Sequence, residues 1–454
     1  MTCKNIRLNF LIVLFLFLLI DYTPVLAQIG RFYSPDENLS SSLINQIYQD
    51  KRGFIWIATE NGLNKFDGMK FSTYKHIPED ESSLKNDYVR TVFEDSSGNF
   101  WIGCIDGLMI YDRASDSFKE IPMYNGDKRV NPHVTRIIET RNKEIWITTS
   151  GQGAFSIKKH KDEVRAEVRL RDILTSNYLY LIFEDSHGNL WIGSENDGLN
   201  LYSPKTGKIQ TFTAPSRIMS NNISSIAEDR QGNLFVGTLT GGLNRYNQKT
   251  KNFEVVPYNK GLPLMVKDLL VSKENLLYIG TEGQGLKYYN SEKNVVEDYE
   301  SGSALIDFTK GKIYSILQDK DDNLWLGVSQ KGIIFIPNTK NKFSYYGLKS
   351  IKNNPIGASS VMSIYKDQEG ILWIGTNNEG IYGVNDEGER VVHYSQTSSP
   401  VSISNTILSI YEDSNDNLWV GSYTKGLAKL DRKTGNCQYI KAVSYTHLRA
   451  HETG

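Results

Sequence analysis

From residue 29 onward, apolar and polar positions alternate in short runs separated by turn sequences. A period of two in such short runs predicts strands, since helices need about 10–12 residues of a longer period. The runs themselves recur. Trp56, Trp101, Trp146 and Trp191 stand 45 residues apart, and the same register continues through Phe235, Tyr278, Trp325, Trp373 and Trp419 in steps of 44, 43, 47, 48 and 46. Every tryptophan of the chain occupies this one position.

The neighbourhood of the aromatic repeats with it. A turn precedes it, as in Asp95-Ser-Ser-Gly98-Asn99, Asp185-Ser-His-Gly188-Asn189 and Asp229-Arg-Gln-Gly232-Asn233. Aliphatics lie three and six residues before the aspartate, as in Val89 and Val92 or Ile223 and Ile226. Ile-Gly or a relative follows the aromatic, then a Gly-Leu pair and another aromatic, as in Gly107-Leu108 with Tyr111. The third repeat is worn: Thr140 replaces the aspartate and Gly153-Ala154 the Gly-Leu pair. The aspartate is expected to accept backbone N–H groups of its turn, and the glycine to take the position with positive φ.

Four strands in such a repeat make one blade of a propeller. In the second repeat these are an inner strand Val89 to Glu94, then Phe100–Cys104, Leu108–Asp112 and an outer Phe118–Ile121. A blade cannot bury both faces alone, so blades pack radially, and the aromatic becomes a wedge between neighbours rather than a platform for sugar. The fold class is therefore all-β. Nine repeats exceed the usual range of about 4–8 blades. Seven of them, residues 28–340, are expected to close one ring, with Gly30–Ser34 as the outer strand of the seventh blade. Residues 341–442 then begin a second propeller, with Phe343–Tyr346 belonging to it. A single nine-bladed ring is the alternative.

The N-terminus follows a different pattern. Lys4 and Arg7 precede an unbroken apolar run, Phe10 to Ile20, and Val25-Leu26-Ala27 places small residues at −3 and −1. This predicts a signal peptide over residues 1–27, cleaved before Gln28; an uncleaved anchor is the other reading, although the run is short for a span of about 20 residues. Residues 443–454 leave the repeat and are expected to be foreign to it, which makes the chain a fragment.

Composition narrows the function. With 51 Lys+Arg against 52 Asp+Glu the net charge is −1, and no basic block stands out, so direct nucleic-acid binding through phosphates is not expected. Three cysteines, Cys3, Cys104 and Cys437, do not make a disulfide scaffold. No catalytic constellation, cofactor motif or metal site stands out. Asp319-Lys-Asp321-Asp-Asn323 and Asp413-Ser-Asn415-Asp-Asn417 imitate the start of a calcium loop, but Gln330 and Thr424 stand where its bidentate acid belongs. Gly151-Gln-Gly153 and Gly283-Gln-Gly285 lack the helix and lysine of a phosphate loop.

The unit Asp-x-x-Gly-Asn-Leu-Trp-Ile-Gly-x-x-x-x-Gly-Leu-x-x-Tyr, most complete at Asp185 to Tyr202, resembles the two-component regulator propeller repeat. The resemblance covers roughly residues 29–441. It implies the periplasmic sensor region of a hybrid two-component sensor kinase. In that family two seven-bladed propellers and a small β-sandwich precede a membrane helix and a histidine kinase. It also implies an oligosaccharide ligand and a homodimer in the full-length protein, with the membrane reached only through the missing C-terminal part. The kinase is absent from this chain, which is not expected to be an enzyme.

A ligand is expected at the mouth of the central channel, where turns differ between repeats while the scaffold stays fixed. Turn residues there are Glu60, Asn61, Asp106, Glu195, Asn196 and Glu282; Tyr124 and Tyr178 come from long connections, and Arg90 and Arg136 from the starts of inner strands. Carboxylates and amides beside tyrosines suit sugar hydroxyls and sugar faces. His76, His133 and Tyr258 are further connection residues. A secreted propeller for protein–protein interaction is the alternative function, and a propeller glycosidase or lyase the third.

Overall fold

The computed structural model describes residues 31–160, 163–261, 263–299, 308–338, 356–386, 389–397 and 403–440. The expected leader, the boundary between the two rings with Phe343–Tyr346, and the expected foreign tail lie outside them. The described residues fall into two compact units, one holding 31–338 and the other 356–440.

Seven blades make the first unit. Their inner strands are Ile44–Gln49, Val89–Glu94, His133–Glu139, Leu179–Glu184, Ile223–Glu228, Val266–Val271 and Gly311–Gln318. In the second blade the inner strand is followed by Phe100–Cys104, Gly107–Asp112 and Ser117–Ile121, one residue longer at the third and outer strands than the sequence suggests. The seventh blade takes its outer strand from the other end of the chain: Arg31–Tyr33 pairs antiparallel with Gly332–Ile336, Tyr33 opposite Ile333. The third blade gains a hairpin, Met123–Asn125 with Lys128–Val130, which runs parallel to its outer strand and covers that edge. The sixth and seventh blades share one sheet, because Glu282 and Gly283 pair with Lys312 and Gly311.

The repeated turn explains the repeated tryptophan. Asp95 Oδ1 accepts from the N–H groups of Ser97 and Asn99, Oδ2 accepts from the Trp101 indole at 2.9 Å, and Gly98 takes φ 88°. The same indole-to-aspartate bond joins Trp56, Trp191, Trp325, Trp373 and Trp419 to Asp50, Asp185, Asp319, Asp367 and Asp413. Both oxygens of Asp319 and Asp413 are thus spent inside hairpins that only resemble calcium loops. In the worn third repeat, the Thr140 hydroxyl accepts from the Glu144 N–H and Trp146 turns to the Glu144 carboxylate. In the sixth, Ser272 accepts from the N–H groups of Glu274 and Leu276.

Seven of the nine aromatics are buried against the next blade. Trp56 lies on Phe100 at 4.5 Å between ring centroids, Trp191 on Tyr246 at 5.2 Å, and Trp325 packs with Ile47, Ile55 and Ile57 of the first blade, which closes the ring. The glycine two residues on exists for the same contact. A Cβ on Gly193 would meet Ile223 of the next inner strand at 2.7 Å, and one on Gly327 would meet Ile44 at 2.9 Å. Tyr278 is only half-buried. The second unit holds two four-stranded blades, with inner strands Val361–Lys366 and Ile407–Glu412. Ile381 of the eighth blade is covered by the ninth and has 0% exposure, while its counterpart Leu427 has 46%; Trp419 is correspondingly half-buried. Trp419 is therefore not the fully buried wedge expected, because no further blade covers it among the described residues.

A ring of side-chain caps also fastens neighbours. In six of the seven blades the last residue of the inner strand accepts a backbone N–H from the turn of the preceding blade: Glu94 from Lys51, Glu139 from Ser96, Glu184 from Arg141, Glu228 from Ser186, Gln318 from Lys273 and Gln49 from Lys320. Glu228 also accepts the Ser186 hydroxyl, both bonds at 2.6 Å. Glu228→Ala is expected to destabilise the ring by about 2 kcal/mol, the scale of hydrogen bonds to a charged group. Urea unfolding checks this, and an unchanged midpoint would show that the cap is replaced by water.

Candidate functional site

The channel site arises from an irregularity shared by all seven inner strands. Pairing with the second strand slips by one residue near the start of each: between Ile44 and Gln46, Val89 and Thr91, Val134 and Arg136, Leu179 and Leu181, Ile223 and Ser225, Val266 and Asp268, and Ile313 and Ser315. A bulge leaves its extra residue unpaired and re-aims that side chain. The skipped residues are Asn45, Arg90, Thr135, Tyr180, Ser224, Lys267 and Tyr314. All but Thr135 line a cavity of about 460 Å³ to which every blade contributes, with Tyr88, Glu60, Arg136 and Asp268 beside them. This is the mouth and upper part of the central channel.

Charge here is partly spent and partly open. Glu282 is held by Lys267 at 3.1 Å, Lys312 at 2.8 Å and the Tyr314 hydroxyl at 2.9 Å. Burial would raise its carboxyl, but these three donors outweigh that and hold it low; burial and Glu282 together push the Tyr314 hydroxyl up to about 12. Asp268 accepts from the Ser225 hydroxyl and from the N–H groups of Leu269 and Ile316. Burial raises its carboxyl, and Arg136 and these bonds oppose the rise. Arg90 lies 4.8 Å over the Tyr180 ring and reaches Asn45 Oδ1 at 3.4 Å. Arg136 has neither an ion pair nor a hydrogen bond among the described residues. Protein surrounds its guanidinium, yet the residue is exposed to the open channel, so water keeps it charged. Burial and Arg90 lower the nearby His133 imidazole, and Tyr88 meets that ring edge-on at 5.7 Å.

Of the residues expected from sequence, Glu60, Arg90 and Arg136 line the channel cavity. Glu195 and Asn196 line an adjoining pocket of about 180 Å³ with Tyr180, Asn222 and Lys267. Glu282 stands at the rim through its partners. The others are placed elsewhere. Tyr124 lies in the edge hairpin of the third blade under Arg165, because the long connection there folds outward onto the outer strand. Asn61 is occupied by Ser40 and Lys75, and Asp106 pairs with Asn86. Tyr178 is exposed beside Gly151, outside the cavity lining. Tyr258 donates to Asp298, and His76 meets the Leu84 carbonyl.

Sequence reasoning missed Asn45, Tyr88, Tyr180, Ser224, Lys267, Asp268 and Tyr314. A signal existed: the residue after the first aliphatic of each inner strand takes six identities in seven repeats, while the aliphatic before it and the one two residues after it are kept. A second cavity, about 540 Å³, lies by the first blade-to-blade connection, where Lys85 and Arg129 are both paired with Glu120. Among the described residues no group of three or more His, Cys, Asp or Glu could hold a metal ion. Cys104 and Cys437 are free thiols, pushed up by burial to about 12 and about 11.

Seven segments match the model of the two component regulator propeller: residues 38–61, 83–106, 173–196, 217–240, 307–330, 355–378 and 402–424. The chain is built of two-component regulator propeller repeats. The third and sixth blades are the two unmatched, and they are the ones in which Thr140 and Ser272 replace the turn aspartate; the hydroxyls preserve the turn and so the blade. The regulator propeller is similar to the extracellular domain of what is described as a hybrid two component system of B. thetaiotaomicron, with 27% identity and a TM-score of 0.67, over 92% of this chain and 55% of that one. A second such domain from the same organism shares 19% identity with a TM-score of 0.54, over 92% and 54%. A streptogramin B lyase, at 15% identity and a TM-score of 0.53, covers 68% of this chain and 97% of its own, and shares the fold alone. Among curated proteins, a histidine kinase of Formosa agariphila is 42% identical over 79 residues, 16% of this chain and 6% of that protein. The chain spans little more than half the length of the extracellular domains it resembles. Among the described residues no helix is long and apolar enough to cross a membrane.

Proposed function

We propose that this chain is the exported, ligand-sensing part of a hybrid two-component sensor kinase, that it binds a glycan-derived oligosaccharide at the channel mouth of its seven-bladed ring, and that it passes the signal, as a homodimer in the periplasm, to a kinase outside this chain. One observation carries the ligand claim: the shared bulge turns side chains from six of the seven blades toward one cleft, where Tyr88, Tyr180 and Tyr314 stand beside carboxylates, amides and guanidinium groups. Tyrosines offer flat apolar faces with a polar tip, and the volume lies within the range of about 300–1,000 Å³ usual for small-molecule sites. A rigid frame with one variable position per repeat is also how a scaffold acquires specificity without losing its fold. The similarity to extracellular domains of two-component systems supports the sensor role.

Calorimetric titration of the purified protein with a broad panel of oligosaccharides tests the reading. Saturable binding is expected, weakened by Tyr180→Ala. No heat from any member of the panel would overturn it.

A further inference from the structure

Two cations share the channel, and the Asp268 carboxylate acts on Arg136 without reaching it as an ion pair. Arg90 and Arg136 both line the cavity, and neither makes an ion pair among the described residues. The nearby acids are otherwise engaged: Glu282 is shared by Lys267, Lys312 and Tyr314, and both oxygens of Asp268 are taken up by hydrogen bonds. Burial pulls the Arg136 guanidinium below the usual arginine range; Asp268 opposes this, and the positive charge of Arg90 adds to it, so the two arginines stand close enough to repel. The hydroxyl of Ser224, buried in the same wall, has no hydrogen-bond partner among the described residues. Two guanidinium groups without ion pairs and a hydroxyl without a hydrogen bond, among the described residues, line one wall of the channel. A planar fork of donors fits a carboxylate or sulfate oxygen pair better than it fits a neutral hydroxyl.

We infer that the saccharide taken by this channel carries an anionic group, a uronate carboxylate or a sulfate ester, which is bound between Arg90 and Arg136. The inference rests on the oligosaccharide reading and adds the chemical class to it. Tyr180, held flat by Arg90, offers its remaining face to the sugar ring. Glu60 and Glu195, which pair with neither arginine, are acceptors for sugar hydroxyls.

The test compares trigalacturonate, a sulfated galactan tetrasaccharide, and neutral galactotetraose and xylotetraose by calorimetry. At least one acidic probe is expected to bind roughly tenfold or more tightly than either neutral one, the minimum for a charge-assisted pair in a sheltered site. The carboxylated and sulfated probes tell the two anion sources apart. Arg136→Gln is expected to erase the preference with the protein still folded, since Arg136 makes no hydrogen bond or ion pair among the described residues; Arg90→Gln provides the second arm. Equal binding of acidic and neutral probes, or an acidic preference that survives Arg136→Gln, would overturn the inference. If only neutral probes bind, the oligosaccharide reading stands and this one falls; if none binds, both fall.

Discussion

Trp191→Ala lowers the unfolding free energy of the first ring by about 3–5 kcal/mol, the usual scale for removing a large buried aromatic. The side chain has 2% exposure and meets the rings of Phe212, Tyr246 and Phe253 at centroid distances of 5.5, 5.2 and 5.9 Å. Tyr246 and Phe253 belong to the next blade, so the change opens a cavity at a blade interface. It also leaves Asp185 without its indole donor. Trp191→Phe should cost much less, because Phe235 stands in the same register in the following blade and is buried to 1% exposure. Trp419→Ala should likewise cost less, since that indole is already half-open. Chemical denaturation of the three variants decides the matter. Equal losses at Trp191 and Trp419 would mean that the aromatic is stabilised within its own blade and that the wedge is not what joins blades.

Asp298→Ala is expected to cost about 3 kcal/mol or more, because it removes the counter-charge of a buried cation. Lys287 has 1% side-chain exposure and places its ammonium 2.7 Å from Asp298, which also accepts from Lys260 and from the Tyr258 hydroxyl. The double variant Asp298→Ala, Lys287→Met should recover much of the loss; no recovery would show that the desolvated charge is not the cause. The same carboxylate gives a pH dependence. Burial pushes its carboxyl up, but Lys260, Lys287 and Tyr258 outweigh this and hold it at about 2. A carboxyl lower in the folded than in the unfolded chain contributes fully above the unfolded value of about 3.9. That contribution is lost as pH falls toward 2. The gap in stability between the native protein and Asp298→Ala should therefore be constant above pH 5 and shrink between about pH 4 and 2; a gap that is flat through that window would refute the assignment.

The repeat was legible because a blade is specified locally. The turn aspartate, the indole six residues later and the paired aliphatics lie within one strand–turn–strand unit, so Asp185 and Trp191 could be matched by eye. Even the worn repeats kept their size, and Thr140 and Ser272 do the aspartate's work at the backbone. The channel was legible in part. Glu60, Arg90 and Arg136 could be placed because inner-strand starts and the turns after second strands converge on one end of a propeller. Tyr124 could not, since nothing in its sequence says that its connection folds outward as a hairpin on the third blade's edge. Asn61 and Asp106 sit in the same kind of turn as Glu60, and only the structure shows that Ser40, Lys75 and Asn86 occupy them.

By itself, then, the sequence determined the all-β class, the blade and its register, because these follow from short-range periodicity and turn chemistry. Tertiary structure alone decided which side chains are free to act. Whether a carboxylate is spent on a neighbour, as Glu282 is on Lys267, Lys312 and Tyr314, or a guanidinium is left open, as Arg136 is, depends on residues far away in the chain. The bulge that aims Asn45, Tyr180, Lys267 and Tyr314 into the channel exists only when the inner strand pairs with its neighbour. Pairing register is a property of two strands, and a channel is a property of seven blades.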